Sequence, residues 1–374
     1  MSDQQYLVSA RKYRPQRWET VVGQESVTTT LKQAIAHNEI GQAYLFCGPR
    51  GVGKTSCARI FARAINEGVE AGSAEQLDVL DENAKDWSFN IFELDAASNN
   101  KVEDIRTLTD QVRIPPAQGK YKVYIIDEVH MLSTSAFNAF LKTLEEPPAH
   151  AIFILATTEK HKVIPTILSR CQIFDFQRIT VTDMVAHLQK IVDEKGLSAE
   201  QEALHVIAQK ADGAMRDALS IFDQVVAFTG GNLTYQAVAA NLNVLGHDLY
   251  FEITDMILNE DIPGVLLKLD DVVRKGFDMH HFIAGMGEHF RNLLVAYHPQ
   301  TLNILEMSDG VKAMFQDQVK RIELAVIQNG LNELNEADIN YKNSRNPRLL
   351  VELSLMKLCS LPAKIREKKK SQLA

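Results

Sequence analysis

The sequence is poor in several things that define common protein classes. It has four cysteines in 374 residues, Cys47, Cys57, Cys171 and Cys359, and none is spaced as CxxC. That excludes a disulfide framework and a cysteine zinc knuckle, and it fits small, partly buried thiols in a reducing compartment. No apolar run approaches the roughly 20 residues of a membrane helix. Met1 to Ala10 lacks the basic-then-apolar pattern of a secretory signal. Both absences point to a cytoplasmic protein with no membrane partner. Positive charge is also short: the net charge is −8, so the surface is not a general nucleic-acid coat. DNA contact is then left to a local patch or to helix N-termini. There is no internal repeat and no low-complexity linker.

What is present is a chain too long for one compact core, with 45% hydrophobic and 24% charged residues, the proportions of a globular protein of two or three domains. The first half alternates two kinds of segment. Ala43 to Cys47, Asn90 to Asp95, Tyr121 to Asp127, Ala151 to Thr157 and Cys171 to Phe176 are short, largely apolar runs that read as strands. Between them, Lys54 to Asn66, Val102 to Val112 and Ser135 to Glu145 have helical periodicity, the last stopped by Pro147-Pro148. Strand–helix alternation implies an α/β domain, a parallel sheet with helices on both faces, over residues 1–178. Beyond Arg178 the strand signal disappears. Thr182 to Lys195, Ala199 to Ala211, Met215 to Phe228 and Tyr235 to Leu242 predict a small helical domain over 179–243. Long amphipathic helices then fill an all-α domain over 244–361. The basic run Lys364 to Lys370 lies in a tail, 362–374, expected to be solvated and disordered.

Gly48 to Thr55 reads GPRGVGKT, the GxxxxGK[ST] pattern between a strand and a helix. Glycines let the backbone N–H groups turn toward phosphate oxygens, and the helix N-terminus adds partial positive charge. Gly48, Pro49, Arg50, Gly51, Val52, Gly53 and Ser56 frame this loop. Lys54 reaches the β- and γ-phosphates, and the Thr55 hydroxyl is offered to Mg²⁺. Asp127 and Glu128 end a buried strand: the first suits the metal's water shell, the second the polarising of an attacking water. The cofactors are therefore ATP and Mg²⁺, with Thr55 and Asp127 at the metal.

Val129-His130 completes the letters DEVH, similar to DExH helicases, but a helicase needs a second motor core that the helical C-terminal half does not offer. Thr157 closes the next strand, where a hydroxyl can bond a γ-phosphate or orient water. Arg170, in Ser169-Arg170-Cys171, follows a proline-started helix. It can serve as an arginine finger on a neighbour's ATP, or make a surface salt bridge. Arg216, in GAMRDAL, can reach back to the γ-phosphate from the helical domain, while Asp217 beside it can make a local pair.

The order of these parts resembles the AAA+ clamp-loader family, most closely the gamma/tau subunits of bacterial DNA polymerase III. The segments that carry it span nearly the whole chain: Tyr13-Arg14-Pro15, GPRGVGKTSCARIFARAIN from Gly48, ELDAASNNKVEDIR from Glu93, KVYIIDEVHMLSTSAFNAFLKTLEEPP from Lys122, ATTEKHKVIPTILSRCQIFDF from Ala156, GAMRDALS from Gly213 and YKNSRNPRLLVELSLMKL from Tyr341. The resemblance implies a P-loop AAA+ domain, a helical lid and a collar that joins five subunits in a ring. It implies that Arg11, Tyr13, Arg14 and Val22 hold the adenine and ribose, that Thr157 and Arg216 are the two sensors, and that Arg170 is the trans-acting finger. The implied partners are delta and delta-prime subunits, further copies of the chain, a ring-shaped sliding clamp and primer–template DNA. Asn99, Asn100, Lys101 and Arg106, at a helix start that Ser98, Asn99 and Asn100 are suited to cap, would face duplex phosphates, or simply form a capped helix.

The sequence departs from relatives in one place. The resemblance implies a zinc module of four cysteines, usual in relatives, in the stretch matching Asn66 to Phe89; this sequence has no cysteine or histidine there, so no zinc is expected. The chain also stops just after the collar, as expected either of the short gamma form or of a truncation of a longer tau-like chain. The activity implied is ATP hydrolysis that opens a clamp and loads it onto primed DNA. The competing readings are an AAA+ branch-migration translocase, a protein unfoldase and a subunit that binds ATP only for structure. They lack, in turn, a basic or aromatic hairpin insertion, an aromatic–hydrophobic–glycine pore loop and a degenerate P-loop.

Overall fold

A computed structural model describes residues 7–67, 87, 89–242, 244–305, 307 and 309–373. They fall into two compact units, one of residues 1–199 and 207–232, the other of residues 200–206 and 233–374.

In the first unit, α1 (Ser9–Lys12) and α2 (Glu25–Ala36) precede β1 (Ala43–Cys47), α3 (Lys54–Glu67), β2 (Ile91–Asp95), α4 (Val102–Val112), β3 (Lys122–Asp127), α5 (Thr134–Glu145), β4 (Ala151–Thr157), α6 (Pro165–Leu168) and β5 (Gln172–Asp175). The sheet is ordered β2-β3-β4-β1-β5 and every pairing is parallel. β1 and β4 are buried along their whole length, because helices cover both faces and leave no polar side for alternation to mark. Successive residues of β1 divide between two cores. Tyr44 and Phe46 pack with Leu31 of α2 and Phe61 of α3. Leu45 and Cys47 pack with Ile105 of α4 and Phe140 of α5. Tyr44 and Phe61 meet edge to face at 4.9 Å, a favoured quadrupole arrangement. Burial pushes the Cys57 thiol up to about 12, so it is a packing residue rather than a nucleophile.

α7 (Val181–Lys195), part of α8 (Gln201–Lys210) and α9 (Met215–Thr229) complete this unit. α7 starts with the Thr180 hydroxyl accepting from the Asp183 amide at 3.1 Å and ends at Gly196 with φ 63°, a strong start signal and a left-handed stop. Two-residue strands at Ser198–Ala199 and Asn232–Leu233 depart from the expected all-helical run; two residues carry no periodicity to read.

The second unit holds α10 (Tyr235–Asn241), α11 (His247–Leu258), α12 (Ile262–Arg274), α13 (Met279–Ala296), α14 (Asp309–Val319), α15 (Leu324–Tyr341) and α16 (Pro347–Leu373). α11, α12, α13, α15 and α16 share one core, with Phe282, Phe290, Leu334, Val351 and Leu355 essentially inaccessible. α16 runs past Lys364 to Leu373, a helix where a disordered tail was expected. The residues there, Lys, Arg, Glu and Gln, are good helix formers, and a helix already begun needs no new nucleus. The insert expected between Asn66 and Phe89 falls largely on 68–86 and 88, outside the described residues.

Candidate nucleotide site

The sheet order brings separated residues to one edge. β1 leads into the glycine loop, and β4 lies between β1 and β3. Thr157 pairs in register with Cys47, and Asp127 with Asp95. All these strands run the same way, so their C-terminal ends form one rim, where ligands of open parallel sheets bind. Above it is a cavity of about 710 Å³, the size of a small-molecule site.

The glycine loop turns where only glycine turns easily. Gly53 has φ +105° with open space where a Cβ would be, and Gly48, φ +146°, lies against the Phe176 carbonyl where any Cβ would collide. Lys54, at the start of α3, is 6% exposed and donates to the Gly48 and Pro49 carbonyls, both at 2.7 Å. Burial lowers its pKa, against Glu128 and Asp127, which raise it. The Thr55 hydroxyl donates to Asp127 Oδ2 at 2.7 Å, and the Glu128 amide donates to Asp127 Oδ1 at 3.0 Å. Glu128 itself sits in the left-handed region at φ 48°, a conformation a non-glycine residue holds only when its surroundings fix it.

The cavity is lined by most of the residues read from the sequence: Arg11, Tyr13, Arg14, Val22, Arg50, Gly51, Val52, Gly53, Lys54, Thr55, Ser56, Asp127, Glu128 and Arg216. The Arg216 amide donates to the Gly51 carbonyl at 3.4 Å, and Arg14 Nε donates to Ser56 Oγ at 3.3 Å. Burial, then the Arg59 charge, lowers the Arg14 pKa. Gly48 and Pro49 do not line the cavity; their carbonyls hold Lys54. Thr157 does not line it: it is fully buried at the end of β4, its hydroxyl accepting from the Glu159 amide at 3.0 Å. Arg170 is apart from it as well, its guanidinium donating to Glu145 Oε1 and the Thr166 carbonyl, each at 2.8 Å.

Five polar lining residues were not read from the sequence: Thr20, Arg59, Glu93, Asp95 and His187. Arg59 and Glu93 form an ion pair. A signal for the acids existed, since Glu93 and Asp95 are two apart on β2 and so share a face. The partner lies 34 residues away and left no local trace.

The helix start at Val102 is built otherwise than expected. Ser98, Asn99 and Asn100 do not cap it. Asp104 accepts from the Lys101 amide at 3.2 Å, while Ser98 Oγ and Asn99 Nδ2 donate back to Asp95 at 3.1 and 3.0 Å. Asp95 closes the turn first and uses the side chains that would have capped. Asn100, Lys101 and Arg106 are exposed and Asn99 is half-buried.

These residues fit a nucleoside triphosphate with a divalent cation. The loop amides and the α3 N-terminus face a cavity whose lining carries six cations, Arg11, Arg14, Arg50, Lys54, Arg59 and Arg216. The Thr55–Asp127 pair is a hard oxygen donor set of the kind Mg²⁺ prefers. Among the described residues no cluster of three or more His, Cys, Asp or Glu side chains is arranged to hold a metal by itself. No helix among them is long and apolar enough to cross a membrane.

Three family models match in succession: the DNA polymerase III delta subunit over residues 23–180, the DNA polymerase III clamp loader subunit ATPase lid domain over 183–231, and domain III of DNA polymerase III subunits gamma and tau over 233–372. The chain is 40% identical to the DNA polymerase III subunit tau of Bacillus subtilis over 95% of its own length and 63% of the relative's. It is 42% identical to the Escherichia coli subunit tau over 75% of its length and 44% of the relative's. Against the subunit gamma of Buchnera aphidicola the identity is 38% over 70% of this chain and 71% of that one. The chain thus spans between two-fifths and two-thirds of the length of the tau relatives. With an AAA+ core, an ATPase lid and an all-helical C-terminal domain in that order, it belongs to the gamma/tau family of DNA polymerase III clamp-loader subunits.

Proposed function

We propose that this chain is an ATP-hydrolysing motor subunit of a clamp loader, which opens a sliding clamp and loads it onto primed DNA. The observation that carries the reading is the intact site: Lys54 at the head of α3, with Thr55 and Glu128 both bonded to Asp127. A subunit that had lost its chemistry would have no reason to keep all four.

In this reading the loop amides and Lys54 bind the phosphates, and Lys54 exchanges its bonds to Gly48 and Pro49 for phosphate oxygens. Thr55 and Asp127 hold Mg²⁺, which when bound neutralises charge developing on the phosphates. Glu128 orients the attacking water. Arg11, Tyr13 and Arg14, with apolar Val22, Met215 and Leu219, line the cavity and suit adenine and ribose. Arg216 reports the nucleotide to the lid, and Arg170 acts on the site of a neighbouring subunit. The all-helical unit is the assembly collar, joining the chain to delta, delta-prime and further copies of itself. Asn99, Asn100, Lys101 and Arg106 meet duplex phosphates, where amide and cation contacts need no base readout.

The test is steady-state ATP hydrolysis by the chain mixed with loader partners, with and without sliding clamp and primed DNA. Stimulation that requires clamp and primer–template together supports the reading. Turnover indifferent to the clamp and driven by branched DNA would move the assignment to a branch-migration translocase.

A further inference from the structure

His130 stands at a junction. Its side chain is 6% exposed. Nδ1 lies 3.0 Å from Thr157 Oγ1 and 3.4 Å from Glu128 Oε2, and Nε2 lies 3.4 Å from Glu159 Oε1. Glu128 Oε2 also accepts from the Thr158 amide at 3.3 Å and the Thr158 hydroxyl at 3.0 Å. One buried imidazole therefore touches the hydroxyl that ends β4 and the carboxylate that follows β3.

The hydrogen-bond capacity of Thr157 makes this contact consequential. A hydroxyl has one proton and two acceptor positions. The Glu159 amide fills one acceptor position of Thr157. If Nδ1 is bare, Thr157 must give it its only proton and has none for a phosphate or a water. If Nδ1 carries hydrogen, it fills the second acceptor position and the Thr157 proton is free. Nδ1 and Nε2 each face a carboxylate oxygen, Glu128 and Glu159 respectively, and a carboxylate accepts only. A carboxylate favours N–H at either nitrogen, and at Nδ1 that N–H also reaches Thr157.

We propose that His130 is a positioning residue for ATP hydrolysis: its Nδ1–H donates to Thr157, leaving the threonine proton uncommitted, and through the same edge it ties buried Thr157 to Glu128, which lines the cavity. The proposal rests on the catalytic reading of Glu128 and Thr157 given above.

The experiment compares His130→Ala, His130→Asn and His130→Gln in the chain assembled with loader partners, clamp and primed DNA. ATP turnover is measured beside ATP affinity, with thermal melting to check the fold. Asparagine can place an amide N–H where Nδ1 stands; glutamine reaches the Nε2 position instead. The expected result is a kcat lower by roughly 10- to 100-fold in the alanine variant, the scale of a misplaced catalytic group. ATP affinity is expected to hold, with recovery by asparagine and none by glutamine. His130→Ala combined with Thr157→Ala should cost little more than Thr157→Ala alone. An unchanged kcat, equal recovery by both amides, a parallel loss of ATP affinity or strict additivity with Thr157→Ala would each overturn it. Glu128→Gln and Thr157→Ala alone separate the two levels. If they leave turnover intact, the catalytic reading has failed; if they lower it and His130→Ala leaves it unchanged, only the role of His130 has.

Discussion

Thr55 Oγ1 and Asp127 Oδ2, from residues 72 apart in the chain, stand 2.7 Å from each other. The bond aligns two oxygens for one cation before any cation arrives. Thr55→Ser keeps the hydroxyl and is expected to keep most activity. Thr55→Ala and Asp127→Asn are expected to lower ATP turnover by roughly 100- to 1,000-fold, the scale of losing one charge-stabilising contact. They should also raise the Mg²⁺ concentration for half-maximal rate, read from a magnesium titration. Equal magnesium dependence in Thr55→Ala and the parent would remove Thr55 from the metal site.

Lys54 is a buried cation whose two described bonds go to backbone carbonyls of its own loop. Lys54→Met removes a charge that burial already disfavours, so the nucleotide-free protein should melt close to the parent. What it should lose is the stabilisation by ATP. A ligand at 100 times its Kd adds about 2.7 kcal/mol, and that shift in Tm is expected to vanish. A Lys54→Met protein that ATP still stabilises would refute the phosphate role.

Asp223 of α9 receives both the amide and the hydroxyl of Ser9, each at 2.5 Å, and Lys195 donates to the same hydroxyl at 2.8 Å. Ser9 is fully buried, and the short helix it begins leads into Arg11, Tyr13 and Arg14 at the cavity. Asp223→Ala is expected to cost roughly 1–3 kcal/mol of stability, the range for buried donors left unpaired. It should weaken ATP binding while leaving the saturated rate near that of the parent. Isothermal titration beside kcat at saturating ATP checks it; a fall in kcat with unchanged affinity would contradict the docking role.

How much of this was legible depended on the range of the signal. The runs AYLFC and AIFILAT announce β1 and β4 because strands covered on both faces need no polar residues. GPRGVGKT announces the phosphate loop because its glycines are local requirements. The Arg59–Glu93 pair and the meeting of His130 with Thr157 were invisible, since each joins residues about 30 apart that only the sheet order brings together. The DEVH letters did single out His130, but only through a helicase pattern that was set aside. The start of α4 was misread for the opposite reason: Ser98 and Asn99 have the right chemistry for a cap, and Asp95 claims them first.

His289 in the second unit gives that part of the chain a pH dependence. Its Nε2 lies 3.0 Å from Gln318 Oε1, while Gln318 Nε2 donates to the Phe251 carbonyl at 2.9 Å and to Asp255 at 2.8 Å. The Gln318 oxygen accepts, so Nε2 carries a proton, and buried Nδ1 has no partner for a second one, which favours the neutral imidazole. Burial lowers its pKa to about 4 from 6.5. The unfolded chain therefore takes up a proton that the folded chain refuses. The stability from this group is fully present above pH 6.5 and is lost as pH falls toward 4, at most about 3 kcal/mol. Hydrogen exchange in α13 should quicken across that window, and His289→Gln should flatten the change. An identical pH response in the variant would assign the effect to other groups.

Arg170 and Glu145 form an ion pair at 2.8 Å with both side chains partly exposed. Pairs of that kind contribute roughly 0–1 kcal/mol, so Arg170→Ala should barely move Tm or the affinity of the isolated chain for ATP. The arginine does not line the cavity of its own subunit, and a finger that acts in trans fails only in the assembly. There Arg170→Ala is expected to lower hydrolysis by roughly 10³- to 10⁵-fold. The decisive form mixes two inactive chains in one loader. Arg170→Ala retains a working phosphate loop, and Lys54→Met retains a working Arg170. Where the second sits beside the first, its arginine completes the neighbour's site and hydrolysis returns. An arginine serving its own site cannot be supplied this way, so a mixture as inactive as its components, or full activity of Arg170→Ala alone, would reject the trans assignment.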